Sequence, residues 1–155
     1  MTGTMHRSSS APRRVPMFGV ADRRARYTER EAAYAVVLDA DRRTAVVHGR
    51  SGMFLPGGGI EADESPVDAI LRESLEECGR PLEIIRTIGQ AIQYCHGEKG
   101  PFRARHRFFE ARFQGPASEA AEYQLSWVHI DEAYRWFRYE SHVWAVRTLL
   151  AETKP

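Results

Sequence analysis

Apolar residues fall along this chain with two different periods. Residues 32–38 (AAYAVVL) are a short, partly β-branched apolar run and predict a buried strand. Asp39, Ala40 and Asp41 signal a turn, and residues 44–48 (TAVVH) predict a second strand that forms a hairpin with the first. Residues 53–55 are a brief apolar piece that Pro56 and three glycines bring to an end. The period then becomes helical. Val67, Ile70, Leu71, Leu75 and Cys78 make one apolar stripe, with the acidic residues of the same segment off it. Ser65 offers an N-cap oxygen, and Pro66 suits the first helical position. Asp63, Glu64 and Asp68 complement the positive end of the helix dipole, and Gly79 is placed to end the helix. Residues 82–94 alternate irregularly and predict one bent strand or two short ones. Residues 96–101 read as a loop, and residues 105–113 and 125–130 as two further strands. Asp131 reads as the cap of a helix running through Phe137. Ser141 reads as the cap of a last helix carrying Val143, Trp144, Val146, Arg147 and Leu150. Trp136, Phe137 and Trp144 are expected to pack on the sheet. Strands, helix, strands, helix is the order of an α+β fold, an α/β/α sandwich around a mixed sheet.

The chain's 155 residues fit one domain with a real core. Residues 1–26 hold six arginines among Ser and Pro and read as a mobile or irregular basic arm, leaving 27–155 as the folded domain. Formal net charge is +1, so no overall field draws nucleic acid or membranes. The arm lacks the interleaved aromatics of a nucleic-acid-binding segment. No apolar run is long enough to span a bilayer, and residues 1–16 hold no apolar signal core. Cys78 and Cys95 have no metal-ligand spacing; they read as packing residues in a reduced, cytoplasmic setting.

Chemistry concentrates in the predicted helix. Glu73, Glu76 and Glu77 stand at i, i+3 and i+4 and share one face, next to Arg72. Three carboxylates so close repel one another unless a cation sits among them. Oxygen donors of this kind suit Mg²⁺ or Mn²⁺, which commonly share their remaining positions with substrate phosphates. An acidic helix is by itself usually a solvated face, here with a ready Arg72–Glu76 pair. That reading leaves unexplained why Gly57, Gly58, Gly59 and Glu64 stand where they do.

Gly58, Glu64, Arg72, Glu73, Glu76, Glu77 and Gly79 stand at the spacing of the Nudix box, and residues 58–80 resemble it closely. Leu55, Pro56 and Gly57 resemble the family's usual lead-in. Two positions depart from the pattern. Ser74 replaces an aliphatic residue inside the helix, where its hydroxyl is expected to bond back to the Ile70 carbonyl. Arg80 replaces another, with Leu82 expected to take over its packing. The resemblance implies that Glu73, Glu76 and Glu77, with the Gly57 carbonyl, hold Mg²⁺ or Mn²⁺. Arg72 would fix a glutamate rotamer, and Gly58 and Glu64 would support the site from just outside the ligands. The implied reaction is hydrolysis of a small-molecule nucleoside diphosphate linked to another moiety. A glutamate of the box or of a later loop would take the proton from water. Homodimers are common in the resembled family. A non-catalytic module that senses a nucleotide or binds a partner is the alternative, and it would be expected to lose a box carboxylate; none is lost. An RNA-directed hydrolase is a further alternative, favoured by the basic arm and disfavoured by the near-zero net charge.

Outside the box, Arg50, Arg103, Arg105 and Arg107 could meet phosphates, and Tyr94, Phe102 and Trp127 could stack on a base. Arg50, Tyr94 and Arg105 are the leading substrate-binding candidates. His96 and His106 are candidates near the substrate, and Glu119 and Glu122 candidate proton acceptors. Each also has an ordinary reading as a surface arginine, core aromatic, structural histidine or solvated loop residue.

Overall fold

The computed structural model describes residues 14–116 and 124–154. Strand β2 (Thr28–Val36) carries the apolar run, its polar first half exposed and its second half buried. Buried residues alternate between its two faces. Ala32, Tyr34 and Val36 join one core cluster, while Ala33 and Ala35 join another. Helix α1 (Pro66–Cys78) closes the second cluster with Ile70, and helix α3 (Glu140–Glu152) closes the first with Val143, Ala145, Val146 and Leu149. The sheet is therefore covered on both faces, as an α/β/α sandwich requires.

That sheet has the order β1-β6-β7-β2-β5, from β1 (Met17–Phe18), β5 (Gly57–Gly59), β6 (Leu82–Gly97) and β7 (Gly100–Phe113). The pairs β1–β6 and β2–β7 are parallel and the other two antiparallel, so the sheet is mixed. A second sheet has the order β4-β3-β8, from β3 (Thr44–Gly49), β4 (Gly52–Phe54) and β8 (Leu125–Val128).

Several local expectations are revised. The β2–β3 hairpin reduces to the turn, with Asp39 Oδ1 accepting from the Asp41 and Arg43 amides, and a single bridge between Leu38 and Thr44. Both edges of β2 are taken by β5 and β7, so β3 pairs in the other sheet. Residues 82–94 form one long strand whose irregular alternation comes from register shifts near Arg86 and Gly89. The loop expected at 96–101 shrinks to a two-residue turn, because β6 and β7 pair as far as Gly97 and Gly100. Asp131 is not a cap. Helix α2 (Ile130–Ala133) starts after His129, has no side-chain cap, and passes into a 3₁₀ turn over Tyr134–Trp136. Ser141 is not a cap either; α3 starts one residue before it and buries it. Trp136 is 64% exposed, whereas Phe137 packs in the core.

The N-terminal segment is seated on the sheet from Pro16 onward. The Pro16 carbonyl accepts the Ile92 amide at 2.9 Å, Met17 and Phe18 pair with Ile92 and Gln93, and the Phe18 ring meets Trp144. Cys78 and Cys95 are free and buried, and burial pushes the Cys78 thiol up to about 12. Among the described residues, no helix is long and apolar enough to cross a membrane.

Candidate active site

Helix α1 begins as its sequence predicts. The Asp68 amide donates to Ser65 Oγ at 3.1 Å, and the Ser65 amide donates to Asp68 Oδ2 at 3.0 Å. Gly79 ends the helix in the left-handed region, its amide donating to the Leu75 carbonyl at 3.0 Å. The buried face differs from the expected stripe. It consists of Ala69, Ile70, Ser74, Glu77 and Cys78, while Leu75 is 53% exposed. Glu77 thus lies on the packed side, and burial and chemistry meet there instead of occupying separate faces. Ser74 Oγ donates to the Arg80 carbonyl and not to that of Ile70. Arg80 itself lies over the Phe113 ring and donates to the Gly115 carbonyl, and Leu82 is buried beside Ile70 as expected.

Strand β5 joins β2 to the acidic face of the helix. Gly57 pairs with Tyr34 and Gly58 with Ala33 on β2. Gly57 has φ 139°, and a Cβ there would stand 2.1 Å from the Ala33 carbonyl oxygen. Its amide donates to Glu77 Oε1 at 3.0 Å, joining the strand to the helix. A Cβ on Gly58 would lie 2.8 Å from Glu73 Oε1. Gly57 therefore lets β5 lie close on β2, and Gly58 lets the Glu73 carboxylate lie directly against backbone.

Arg72 organises the rest. Its Nε and Nη2 donate to the two oxygens of Glu64 at 2.8 and 2.9 Å, a forked pair. Nη1 donates to Glu73 Oε1 at 3.0 Å and Nη2 to the Gly59 carbonyl at 3.1 Å. The Arg72–Glu76 pair read from sequence is loose, at 3.7 Å. Glu64 also accepts the Glu61 amide at 2.8 Å, closing the loop ahead of the helix. The Arg72 hydrogen bonds, followed by that amide, hold the Glu64 carboxyl below its ordinary range. Glu73 moves the other way. Burial raises its pKa against the pull of Arg72, and the neighbouring charges of Glu76 and Glu61 push in the same upward direction.

A cavity of about 200 Å³ opens beside Glu77, lined by Tyr34, Val47, Gly49, Phe54 and Gly57. Sequence reasoning missed Tyr34, Val47, Gly49 and Phe54 as lining residues; in the sequence they are ordinary members of apolar strands and turns. A larger cavity of about 580 Å³ lies away from the box, against Phe18, Phe137 and Trp144.

Most candidates outside the box take their partners elsewhere, although the His106 ring meets Tyr34 of the cavity wall. Arg50 is exposed at the β3–β4 turn. Tyr94 accepts from Arg103 Nε at 3.4 Å and meets the Tyr27 ring edge-on. Arg105 donates to Gln90 at 2.8 Å. Arg103 and Arg107 pair with Glu29 and Glu31. Phe102 is buried under the Arg30 guanidinium, and Trp127 packs on Phe113. His96 is exposed in β6, whereas His106 is buried with Nδ1 2.8 Å from Ser141 Oγ. Glu119 and Glu122 lie outside the described residues.

A mixed sheet between two helices, with a glycine strand laid against an acidic helix, makes an α/β/α sandwich with an acidic cluster at the glycine edge. A family model described as NUDIX domain matches residues 28–153, so the chain belongs to the Nudix family, whose members are pyrophosphohydrolases. Solved structures agree on the fold. A NUDIX hydrolase from Nitrosomonas europaea is similar at 19% identity and TM-score 0.68, over 82% of this chain and 92% of that one. The E. coli dihydroneopterin triphosphate pyrophosphohydrolase is similar at 15% identity and TM-score 0.63, over 82% and 99%. An ADP-ribose pyrophosphatase from Streptococcus suis is similar at 14% identity and TM-score 0.58, over 83% and 96%. No curated protein sequence matches the chain.

Nudix hydrolases generally depend on a divalent metal, and the donor chemistry here fits one. Burial and the charges of Glu76 and Glu61 raise the Glu73 pKa, and the single Arg72 guanidinium is shared among Glu64, Glu73 and the Gly59 carbonyl, so the carboxylates of the cluster outnumber its cation. Among the described residues, however, no three acidic, histidine or cysteine side chains form a ready-made shell. Glu73 Oε1 is turned to Arg72 and Glu77 Oε1 to the Gly57 amide.

Proposed function

We propose that the chain hydrolyses the anhydride bond of a nucleoside diphosphate linked to another moiety, with Glu73, Glu76, Glu77 and the Gly57 carbonyl holding Mg²⁺ or Mn²⁺. The observation that carries this reading is the half-buried Glu73 carboxylate, its pKa raised by burial and by the charges of Glu76 and Glu61, lying directly on the Gly58 backbone where a Cβ would otherwise stand. A bound divalent cation would neutralise charge building on the phosphoryl oxygens. Water adds to phosphorus, the bridging P–O bond breaks, and the proton of the water passes to a glutamate. Arg72 and Glu64 keep the helix and the loop before it in register, and the cavity beside Glu77 takes the group next to the cleaved bond.

The test is a screen of nucleoside triphosphates, nucleotide sugars, ADP-ribose and dinucleoside polyphosphates with Mg²⁺ or Mn²⁺, reading phosphate-containing products. Turnover of at least one is expected. Glu76→Gln should keep the fold, since Glu76 is half exposed, and lower kcat by roughly 100-fold. Wild-type rates in both Glu76→Gln and Glu77→Gln would refute the assignment.

Arg72→Lys offers a separate check. Lysine supplies one point charge where the guanidinium supplies a fork to Glu64 plus bonds to Glu73 and Gly59. Calorimetric titration should show divalent-cation affinity falling by roughly 10- to 100-fold, the usual effect of removing a partner that orients metal ligands. Unchanged affinity would mean that Arg72 has only a structural part.

A further inference from the structure

The last helix reaches the box through one residue that the box does not include. His142, in the first turn of α3, is fully buried. Its Nδ1 accepts the Leu55 amide at 3.1 Å, across 87 residues of sequence. A ring nitrogen that accepts carries no proton, so the neutral ring holds its proton on Nε2. That Nε2 is buried with no hydrogen-bond partner among the described residues. Leaving such a donor unpartnered is unfavourable. A leucine or phenylalanine would fill the same space without the orphan, so packing alone does not account for an imidazole here. What the imidazole adds is the acceptor for Leu55.

The bond matters because Leu55 leads directly into the glycine strand. Residues 55–57 are held by three hydrogen bonds from three elements. His142 of α3 takes the Leu55 amide, Ala35 of β2 donates to the Pro56 carbonyl at 2.8 Å, and Glu77 of α1 takes the Gly57 amide. Pro56 has no amide to give, so Leu55 is the anchor on the upstream side. The His142 ring also packs on Tyr34, with 4.2 Å between centroids, and Tyr34 shares the cavity wall with Glu77.

We infer that His142 is a positioning residue: through the Leu55 amide and the Tyr34 ring it sets the placement of Gly57 and hence of Glu77. This rests on the function proposed above. Its test separates the two readings. In metal-free protein, His142→Phe removes the acceptor and keeps the ring, while His142→Asn restores an acceptor close to Nδ1. Amide NMR should show the Leu55 and Gly57 resonances displaced in the phenylalanine variant and largely returned in the asparagine variant. With whichever nucleotide the screen finds, kcat should fall about 10-fold or more in His142→Phe, with KM within about twofold, and recover in His142→Asn.

Unmoved Gly57 resonances in folded His142→Phe, or an asparagine variant as impaired as the phenylalanine one, would overturn the inference. Should His142→Phe not fold, ¹⁵N spectra of the wild-type ring decide instead. The inference requires an unprotonated Nδ1 coupled to the Leu55 amide, and a protonated Nδ1 rules it out. If the wild type turned over no nucleotide, the proposed function would fall, and the NMR comparison would still decide the part played by His142.

Discussion

Gly57→Ala will destabilise the fold by about 4 kcal/mol and disrupt the site with it. Two penalties combine. At φ 139° the backbone is in a region that residues with a Cβ rarely adopt, and such strain costs roughly 1–3 kcal/mol. The new Cβ would also stand 2.1 Å from the Ala33 carbonyl oxygen and 2.7 Å from Tyr34 Cα. Both are backbone atoms of β2, which is hydrogen-bonded on both edges and cannot retreat. Overpacking of this sort costs roughly 1–3 kcal/mol more. Relief requires β5 to move off β2, which would break the Gly57–Glu77 hydrogen bond. Gly59→Ala is the control, because a Cβ there meets nothing within 4 Å. Urea unfolding should separate the two variants clearly. A Gly57→Ala protein within about 1 kcal/mol of wild type would show that β5 is not seated as described.

Acid will unfold the protein earlier than its carboxylates alone would cause. Burial lowers the His106 pKa from an ordinary 6.5 to about 4, and burial followed by the neighbouring His106 lowers His142 well below 6.5. Both imidazoles are neutral in the folded state, whereas in the unfolded chain they take up protons below pH 6.5. The unfolded state therefore binds more protons in this range, and stability falls as pH falls. The stability is complete above about pH 6.5. It declines from there to about pH 4, where folded His106 also protonates and its own contribution to the slope ends. For His106 alone the loss is about 3 kcal/mol over this window. Urea midpoints at pH 7.5, 5.5 and 4.5 should fall steeply for the wild type and less steeply for His106→Gln. Equal slopes would show that His106 is solvated or already charged in the folded protein.

Helix α1 is the part of this molecule most legible in the sequence. Ser65, Pro66, Asp68 and Gly79 act within one or two turns of the residues they cap, so their spacing nearly determines their partners. The box is legible for the same reason, since Glu64, Arg72, Glu73, Glu76 and Glu77 lie on one helix and the loop before it. Even there the choice of partners is not. Arg72 has carboxylates at several offsets, and the fork to Glu64 prevails because the loop of residues 61–64 folds back onto the helix. The buried face of α1 departs from its apolar stripe because Leu75 is apolar yet exposed, while Glu77 is charged yet buried against glycine.

By itself, then, the sequence determined helix α1 with its caps, the acidic cluster and the glycine run ahead of it, which it presented as a turn and the structure shows as strand β5. Tertiary structure alone decided that β3 joins a second sheet, that Tyr34 and Phe54 wall a cavity beside Glu77, and that His142 anchors Leu55. The physical reason is the reach of each interaction. Caps and same-face pairs act across a few residues, and chain geometry brings them together. A cavity wall or a bond spanning 87 residues exists only after the sheet order has been chosen, and that choice depends on which strand edges remain free.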